Sequence, residues 1–411
     1  MSDTLDILIV GGGAAGIAAA RRLAGLPLKA RMVEAGDRLG GRARTERLGG
    51  MPLDLGCYWL HSAGRNAWAR LACETGAAID ETPPSWQRQW QDIGFSRAEQ
   101  KEACAAYDAF DRKLREETPA SDIAGEVLDP ACRWNPWLNA LSGFINGAEL
   151  SRLSARDYLN YDDADTGVNH RLPAGYGAFV CAAVPDLPVM LGTPVLEIDR
   201  TGPLLAAVTE RGRIMARTII VTVSTGMLAQ ERLRFTPRLP EKVEAAARLP
   251  LGLANKAFLL LDRPEPFEPD SQLIGDPKRE DSGSYHLRPF GRSVVECFFG
   301  GGGARGLEAA GRGAACDFAI EQLVGLLGSE MRKRLTPMIE THWGAEPFVG
   351  GAYSHALPGH AAARLDLARP VEDRLFFAGE ACSVSDFSTA HGAHDTGVAA
   401  AEAALRALGL V

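Results

Sequence analysis

The stretch that decides the fold spans residues 5–23 and reads LDILIVGGGAAGIAAARRL. Its first six residues are an apolar run of strand length, and the alanine-rich half that follows favours a helix. Gly11, Gly13 and Gly16 therefore form a G-x-G-x-x-G pattern between a strand and a helix. There the glycines permit a tight turn, close approach of the backbone to a pyrophosphate, and close packing of helix on strand. The pattern predicts a dinucleotide-binding βαβ unit.

A second predicted strand places a carboxylate where such a unit needs one. LKARMVE, residues 28–34, ends in Glu34, about 20 residues after the first glycine, where these folds bind a ribose hydroxyl. The alternative is an ordinary surface glutamate at the end of a strand. The amides of Ala14 and Ala15, at the predicted N-terminus of the helix, are expected to face the phosphates.

The residues after the second strand distinguish between possible dinucleotides. AGDRLGGRARTE, residues 35–46, holds an arginine after a Gly-Gly turn, where it can face the second half of the pyrophosphate. LDLGCYWLH, residues 53–61, adds a further glycine and aromatic side chains. Here the sequence resembles the flavin-containing amine oxidase superfamily, which includes monoamine oxidases, polyamine oxidases and lysine-specific histone demethylases. In that superfamily the run E-x-x-x-R-x-G-G-R binds FAD, and its positions are filled here by Glu34, Arg38, Gly40, Gly41 and Arg42.

The resemblance implies further contacts with FAD along the chain. They are expected at Ala35, Gly56, Cys57, Tyr58, Trp59, Val195, Gly379, Glu380, Thr389 and Ala390. Val195 would contact the adenine through backbone atoms, and the amide of Ala390 would begin a helix aimed at the flavin. Animal monoamine oxidases bond the flavin covalently through a cysteine at the position of Ala352, which has no nucleophile. We therefore expect FAD to be bound non-covalently.

A lysine within an apolar segment is the main candidate for chemistry. Lys256 lies in LANKAFLLL, where a charged side chain needs a specific environment. It could point outward from a half-exposed strand. The resemblance implies another role, because Asn255-Lys256 matches an N-K motif whose lysine holds a water near flavin N5 and stabilises negative charge.

Aromatic residues near the C-terminus suggest a substrate site. THWGAEPFVGGAYS, residues 341–354, matches the W-G-x-x-P-x-x-x-G-x-Y-S pattern of the polyamine-oxidase and demethylase branches. The resemblance places Trp343 near the isoalloxazine and Tyr353 as one wall around the amine. An ordinary core position is the alternative for Tyr353. Thr389 stands where monoamine oxidases carry a second aromatic wall, so these two positions supply at most half of that cage.

Three histidines are candidates for proton transfer. His61 matches a histidine that some polyamine oxidases carry near the flavin, although a structural histidine is the alternative. His391 and His394 follow Thr389 closely and are expected near the ring, where either could shuttle protons.

The motifs predict an α/β fold in which a Rossmann-like FAD-binding domain is interleaved with an α+β substrate-binding domain. The FAD-binding domain is expected at residues 1–75, 171–250 and 341–411, and the substrate-binding domain at residues 76–170 and 251–340. Residues 62–165 favour a mostly helical insertion. Its tryptophans are expected in the core rather than along a pocket: Trp86, Trp90, Trp134 and Trp137.

Composition narrows the class of protein. The chain has 411 residues, which suggests two to three domains, and its net charge of −8 comes without a long Lys/Arg run. We therefore expect neither nucleic-acid nor membrane binding. The eight cysteines form no C-x-x-C pair, so neither a zinc site nor a dithiol redox motif is predicted, and no metal site is expected. The early first strand leaves no room for a signal peptide, and no apolar run of about 18 residues is present. These features favour a cytoplasmic protein.

The leading hypothesis is an FAD-dependent amine oxidase. Hydride would pass from the carbon bearing the amine to flavin N5, the imine would hydrolyse, and O2 or another acceptor would reoxidise the flavin. The amine must be neutral to react, so activity is expected to rise with pH. One alternative is a protoporphyrinogen-oxidase-like or desaturase-like flavoenzyme that acts on C–C or ring bonds, and another is a non-catalytic FAD-binding module. The sequence specifies neither the amine nor the oligomeric state.

Overall fold

The structure, a computed structural model, describes residues 4–86 and 88–410. Its strands, in chain order, are β1 (Leu5–Val10), β2 (Ala30–Val33), β3 (Thr45–Leu48), β4 (Met51–Asp54), β5 (Trp59–Leu60), β6 (His170–Arg171), β7 (Val189–Met190), β8 (Val195–Asp199), β9 (Leu205–Thr209), β10 (Gly212–Val221), β11 (Arg234–Thr236), β12 (Ala254–Leu261), β13 (Ser271–Ile274), β14 (Ser284–Leu287), β15 (Val294–Gly300), β16 (Leu335–Glu340) and β17 (Leu375–Phe377). Its α-helices are α1 (Ala14–Leu23), α2 (Ala67–Thr75), α3 (Arg97–Glu116), α4 (Asn135–Asn146), α5 (Ala155–Ala164), α6 (Tyr176–Ala182), α7 (Thr225–Ala229), α8 (Pro240–Ala247), α9 (Gly301–Ala310), α10 (Ala314–Leu327), α11 (Ala363–Ala368) and α12 (Ala390–Ala407).

The larger sheet has the strand order β11-β8-β9-β10-β1-β2-β7, with β17 paired to β10. β1 lies between β2 and β10 and runs parallel to both. Ile7 and Ile9 pack with α1 and α12 on one face, while Leu8 and Val10 pack with α8 and α11 on the other. Because helices cover both faces, β1 is apolar at nearly every position. This arrangement confirms the predicted Rossmann-like α/β fold.

The turn from β1 into α1 depends on two of the glycines. Gly11 has φ = +109°, a backbone conformation that favours glycine. A Cβ at Gly16 would lie 1.9 Å from the carbonyl oxygen of Gly11, so only glycine lets the helix approach the strand this closely. Both positions therefore have the backbone constraints that the fingerprint predicts.

The second sheet is antiparallel and has the strand order β13-β14-β15-β12-β16. LANKAFLLL forms β12, which pairs with both β15 and β16. Ala257 and Leu259 point to one face and pack with residues of α10. Since side chains alternate along a strand, Lys256 projects from the opposite face.

The segment before the second sheet contributes α2 to α5 and long irregular connections. Trp134 and Trp137 are buried, with 4% and 7% of their surface exposed, but Trp137 also lines the large cavity, so its expected place away from a pocket is wrong. Trp86 is 42% exposed, so its expected core position is wrong. It follows Pro83 and Pro84, which disfavour a helix, and its ring meets Trp59 edge-on at 4.9 Å between centroids.

Other features of the chain bear on its environment. All eight cysteines are free. Of the helices in the described part of the chain, none has the length and apolar character needed to cross a bilayer.

The larger sheet takes its strands from both ends and the middle of the chain, whereas the second sheet is built from residues 254–340. The exact domain boundaries given above stay a prediction.

Candidate active site

A cavity of about 1340 Å³ lies between the two sheets. Cavities that hold a single small ligand usually measure about 300–1,000 Å³, so this one has room for a large cofactor and a substrate together. One end is lined by the glycine-rich turns of the larger sheet. The other end is lined by the face of β12 to β15 that is turned away from α10, and by residues of α3, α4 and α5.

Glu34 is fixed at the nucleotide end of the cavity. Its Oε2 accepts a hydrogen bond from the amide of Gly12 and its Oε1 accepts one from the amide of Gly36, each at 2.7 Å. The carboxylate follows the C-terminal end of β2 and lines the cavity. From this position a carboxylate can accept a hydrogen bond from a ribose hydroxyl.

The N-terminus of α1 supplies donors to the same space. Gly13 is the N-cap residue and its helix has no side-chain cap, while Ala14 and Ala15 line the cavity. A Cβ added at Gly13 would meet no atom closer than the carbonyl oxygen of Gly40 at 4.0 Å. The open space and the free amides fit a pyrophosphate at the positive end of the helix dipole.

Arg42 and Glu380 lie where the two halves of the cavity meet. Arg42 Nη1 donates to Glu380 Oε1 at 2.8 Å and to the carbonyl oxygen of Ala352 at 2.6 Å. The other carboxylate oxygen accepts from Ser354 Oγ at 2.7 Å and from the amide of Ser388 at 2.9 Å. Burial opposes ionisation, but the nearby guanidinium charges and these hydrogen bonds hold the pKa of Glu380 below its ordinary value.

A second helix begins at the cavity. Thr389 caps α12 by accepting a hydrogen bond from the amide of Gly392 through Oγ1 at 2.9 Å. Thr389 and Ala390 line the cavity, so the positive end of this helix also faces it. The described residues thus offer a ribose acceptor, two helix N-termini and an arginine, a set that fits FAD.

Most of the positions predicted to contact FAD line this one cavity. They are Gly11, Gly13, Ala14, Ala15, Glu34, Ala35, Arg38, Gly40, Gly41, Arg42, Gly56, Cys57, Tyr58, Trp59, Val195, Gly379, Glu380, Thr389 and Ala390. Gly16 is not among the lining residues, because it lies beneath the turn against Gly11. Its effect on the site is therefore indirect, through the position of α1.

Lys256 is buried at the junction of the two ends. Its Nζ donates to the carbonyl oxygen of Asp54 at 2.9 Å and forms an ion pair with Glu296 Oε1 at 2.6 Å. The ammonium also lies 4.9 Å from the centre of the Tyr58 ring, within the range of a cation–π contact. The interpretation of Lys256 as an outward-pointing surface residue is therefore wrong.

Asn255, the neighbour of Lys256, holds the tryptophan of the site. Its Oδ1 accepts from the amide of Trp343 at 3.0 Å, and its Nδ2 donates to Glu308 Oε2 at 2.7 Å. The indole Nε1 of Trp343 donates to the carbonyl oxygen of Leu55 at 3.2 Å. Trp343 is thus fixed through both its backbone and its indole, and it lines the cavity.

Tyr353 and Ala352 lie on the same wall. The phenol of Tyr353 donates to the carbonyl oxygen of Phe144, and burial raises its pKa. Ala352 and Thr389 also line the cavity. The wall therefore has a methyl group where a covalent cysteine was considered, and a threonine where a second tyrosine was considered.

His61 faces the cavity as a neutral acceptor. Asn169 Nδ2 donates to the carbonyl oxygen of Gly167 at 3.1 Å, which leaves its Oδ1 to accept from His61 Nδ1 at 2.7 Å. Nδ1 therefore carries the proton and Nε2 carries the lone pair. Burial lowers the pKa of His61. His391 and His394 do not line the cavity; their rings contact Asp386 and Asp395 instead.

Several residues on the cavity wall were not predicted as site residues from the sequence. They are Trp86, Tyr107, Trp137, Phe144, Tyr158, Tyr161, Asp162, Gln272, Ser284, His286, Glu296 and Phe298. Glu296 had a detectable signal, since it is a charged residue in the apolar run VVECFF, residues 294–299. The wall positions of the aromatic residues depend on tertiary packing, which one strand or helix pattern does not reveal.

Comparison with known proteins identifies related chains. The family model described as "Flavin containing amine oxidoreductase" matches residues 94–405, and one described as "NAD(P)-binding Rossmann-like domain" matches residues 9–73. Polyamine oxidase 3 of Oryza sativa subsp. japonica is 29% identical, over 98% of this chain and 89% of the relative. Lysine-specific histone demethylase 1 homolog 2 of the same species is also 29% identical, over 98% of this chain and 57% of the relative.

Solved structures share the fold. Wild-type putrescine oxidase bound to putrescine superposes with a TM-score of 0.78 at 19% sequence identity, covering 98% of this chain and 99% of the other. At that identity the likeness establishes the arrangement of the two sheets and not the substrate.

Proposed function

The chain belongs to the family of flavin-containing amine oxidoreductases, and from that premise we propose that it oxidises a small amine by hydride transfer to FAD, with O2 as the electron acceptor. The observation that carries the proposal is that the cavity is continuous from the nucleotide end to its other end. This other end, which surrounds Lys256 and Tyr353, is called the chamber below. Bound FAD would supply, at N5, the acceptor for the hydride and would be reoxidised with formation of H2O2.

The residues at the nucleotide end would bind and orient the cofactor. Glu34 would accept a ribose hydroxyl, and the amides that begin α1 would bind the pyrophosphate. Arg42 would face the second phosphate while its hydrogen bond to Glu380 holds the guanidinium in place. The amides that begin α12 would stabilise negative charge on the flavin ring.

The residues of the chamber would handle the amine and the water. Lys256 would hold a water beside the flavin, and Trp343 would pack against the ring. Tyr353 would form one wall around the amine, and the Nε2 lone pair of His61 would accept a hydrogen bond from the substrate. Thr389 leaves room where another aromatic ring would narrow the site.

Carboxylates on the cavity wall favour binding of a cationic or polar amine over binding of an acid. Asp162, Asp165 and Glu296 line the cavity, and carboxylates attract ammonium groups. Polyamine oxidases among the relatives and putrescine in a structural neighbour support the same class. We propose a primary or secondary alkylamine, polyamines included, as substrate.

We also propose that FAD is bound non-covalently and that the protein works in the cytoplasm. Ala352 offers no thiol at the position that carries the covalent link in animal monoamine oxidases. Acid denaturation should release all of the yellow colour into the supernatant, and colour left in the pellet would contradict this. The eight free cysteines support a reducing compartment.

Anaerobic reduction tests the function directly. Purified, FAD-loaded protein is mixed with a panel of alkylamines, diamines and polyamines, and the flavin absorbance is followed. Bleaching by at least one amine, followed by H2O2 on readmission of air, is the expected result. Tightly bound FAD that no amine bleaches would favour the two alternatives, a flavoenzyme for C–C or ring bonds or a non-catalytic module.

A further inference from the structure

Glu296 is a buried carboxylate to which the roles proposed above assign only attraction of the amine. It lies on β15, is 7% exposed and lines the cavity. Its Oε1 pairs with Lys256 at 2.6 Å. A carboxylate has about four acceptor sites, yet no hydrogen bond reaches the carboxylate of Glu296 from residues 4–86 or 88–410 beyond this ion pair. Its Oε2 is therefore a free acceptor inside a largely aromatic chamber.

Charged and titratable groups surround Glu296 on three sides. Lys256 faces it from β12, and Tyr58 faces it from the segment before β5. His286 is its register partner on β14, which places the two side chains on the same face of the sheet. Behind these lie Asp54, Arg171 and Asp270, the last of which accepts from both His286 and Arg171. Lys256 is thus the nearest cation, and Glu296 offsets its charge.

The proposed reaction needs a proton acceptor at this place. A simple alkylamine has a pKa near that of a lysine side chain, about 10.4, so only roughly one molecule in 800 is neutral at pH 7.5. Hydride leaves only a carbon whose nitrogen has a free electron pair. The amine must therefore lose a proton before or after it enters the cavity.

We propose that Glu296 accepts this proton from the bound ammonium ion, an inference that rests on the proposed function. The N–H bond breaks, its electron pair stays on nitrogen, and an O–H bond forms at Oε2. The ammonium and carboxylate become a neutral amine and a carboxylic acid, so charge balances and no oxidant is needed. Because Oε1 stays on Lys256, the proton acceptor and the lysine are held side by side.

The first test compares amines that arrive charged with amines that arrive neutral. Flavin reduction at pH 7.5 is measured for an alkylamine and for its β,β-difluoro derivative, whose nitrogen is far less basic. Glu296→Gln should lower kred/Kd for the alkylamine by about 100-fold, the usual effect of losing a general base, and leave the fluorinated amine nearly unchanged. For each amine, kred/Kd of the variant is divided by kred/Kd of wild type. Fluorine slows hydride transfer in both proteins alike, so this ratio removes its inductive effect.

Matched variants separate chemistry from folding. Glu296→Asp keeps the carboxylate and should recover part of the lost rate. Glu340→Gln removes another largely shielded carboxylate of the same sheet, whose side chain is 8% exposed and contacts His342 and the amide of Gly313 outside the cavity. It should affect both amines equally. If wild type reduces its flavin with amines but Glu296→Gln slows both amines equally, the inference fails and the function stands. If no amine reduces wild type, the function itself fails.

A binding measurement does not depend on turnover. A tert-alkylamine has no hydrogen on the carbon that bears nitrogen, so it can bind but not react. Calorimetry in two buffers of different ionisation enthalpy counts protons released on binding. Wild type should release almost none, because Glu296 retains the proton. Glu296→Gln should release about one proton per amine bound. Equal proton release by both proteins would overturn the proposal.

Discussion

Arg42 and Glu380 are 338 positions apart in the chain but share a hydrogen bond of 2.8 Å at the centre of the cavity. The side chain of Glu380 is 6% exposed and that of Arg42 is 28% exposed. Glu380 also accepts from Ser354 and Ser388, so it joins three segments that line the cofactor space. Removing this carboxylate should therefore affect folding and cofactor binding together.

Glu380→Ala should lower the free energy of unfolding by about 3 kcal/mol or more, because it leaves a partly buried guanidinium without its partner. It should also release FAD during gel filtration. Chemical unfolding with and without added FAD measures both effects. Glu321→Ala is the control, since its pair with Arg332 is exposed and should contribute less than about 1 kcal/mol. Equal losses in the two variants would contradict the prediction.

Gly16→Ala should destabilise the protein and weaken FAD binding, because the new Cβ would lie 1.9 Å from the carbonyl oxygen of Gly11. Overpacking of this kind costs about 1–3 kcal/mol or more. Thermal unfolding and FAD titration measure the change. Gly306→Ala is the matched control within α9, where a Cβ meets nothing within 4 Å. It should stabilise by about 0.5–1 kcal/mol, so the same substitution should have opposite signs at the two positions.

Lys256→Met should preserve FAD binding while it slows the chemistry. The substitution removes a buried ammonium from the chamber and leaves Glu296 without its ion-pair partner. We expect a loss of about 100-fold or more in turnover, the scale seen when one charge-stabilising donor is removed. Stopped-flow spectroscopy should follow flavin reduction and reoxidation separately. Lys333→Met, on an exposed pair with Glu330, should leave both steps unchanged. Normal rates in Lys256→Met would show that the lysine is structural.

His355 should make stability depend on pH. The ring is 2% exposed, and neither of its nitrogens has a hydrogen-bond partner in the described part of the chain. Burial, followed by the charges of Arg152, Arg364 and Arg305, lowers its pKa to about 3. Unfolding would restore an ordinary pKa of about 6.5, so the unfolded chain binds a proton that the folded chain excludes. This stability is fully present above pH about 6.5 and falls as pH drops toward 3, by up to about 1.4 kcal/mol per pH unit.

His355→Leu should remove that dependence. Urea unfolding at pH 7, 6 and 5 gives the slope for both proteins, and the variant should lose less stability between pH 7 and pH 5 than wild type does. Identical slopes would assign the acid sensitivity to other groups.

The residues that could be predicted from the sequence are those with local backbone constraints. Gly11, Gly16 and Glu34 belong to one contiguous strand–turn–helix–strand unit, so their spacing alone determines their positions. Lys256 was recognisable because a charge in an apolar strand needs an explanation, and its N-K motif supplied one. Glu296, a charge in another apolar strand, carried the same signal but was not predicted, and its partner could not have been inferred. Which charge it meets depends on the register of β15 against β12, set by pairs such as Lys256 with Phe298.

Trp86 and His394 are residues whose positions were predicted wrongly, because they depend on tertiary packing rather than on local sequence. Large aromatic residues usually lie in cores, but Trp86 is in an irregular segment that passes over the cavity, where burial is incomplete. His394 was expected near the flavin from its closeness to Thr389 in sequence. One turn into α12 its side chain points to Trp68 instead, with ring centroids 5.0 Å apart. Ala393 lines the cavity but the next residue, His394, does not, because successive residues of an α-helix point about 100° apart around its axis.

The pairing of β17 with β10 has a consequence for synthesis on the ribosome. β17 joins the larger sheet beside β10, and α12 then packs on α1, so residues after 374 complete a site whose first elements are residues 5–23. A nascent chain that ends before β17 has the glycine-rich turn but lacks Glu380 and the start of α12. Cofactor uptake therefore requires residues after 374, and truncation before β17 should abolish it even though the fingerprint is intact.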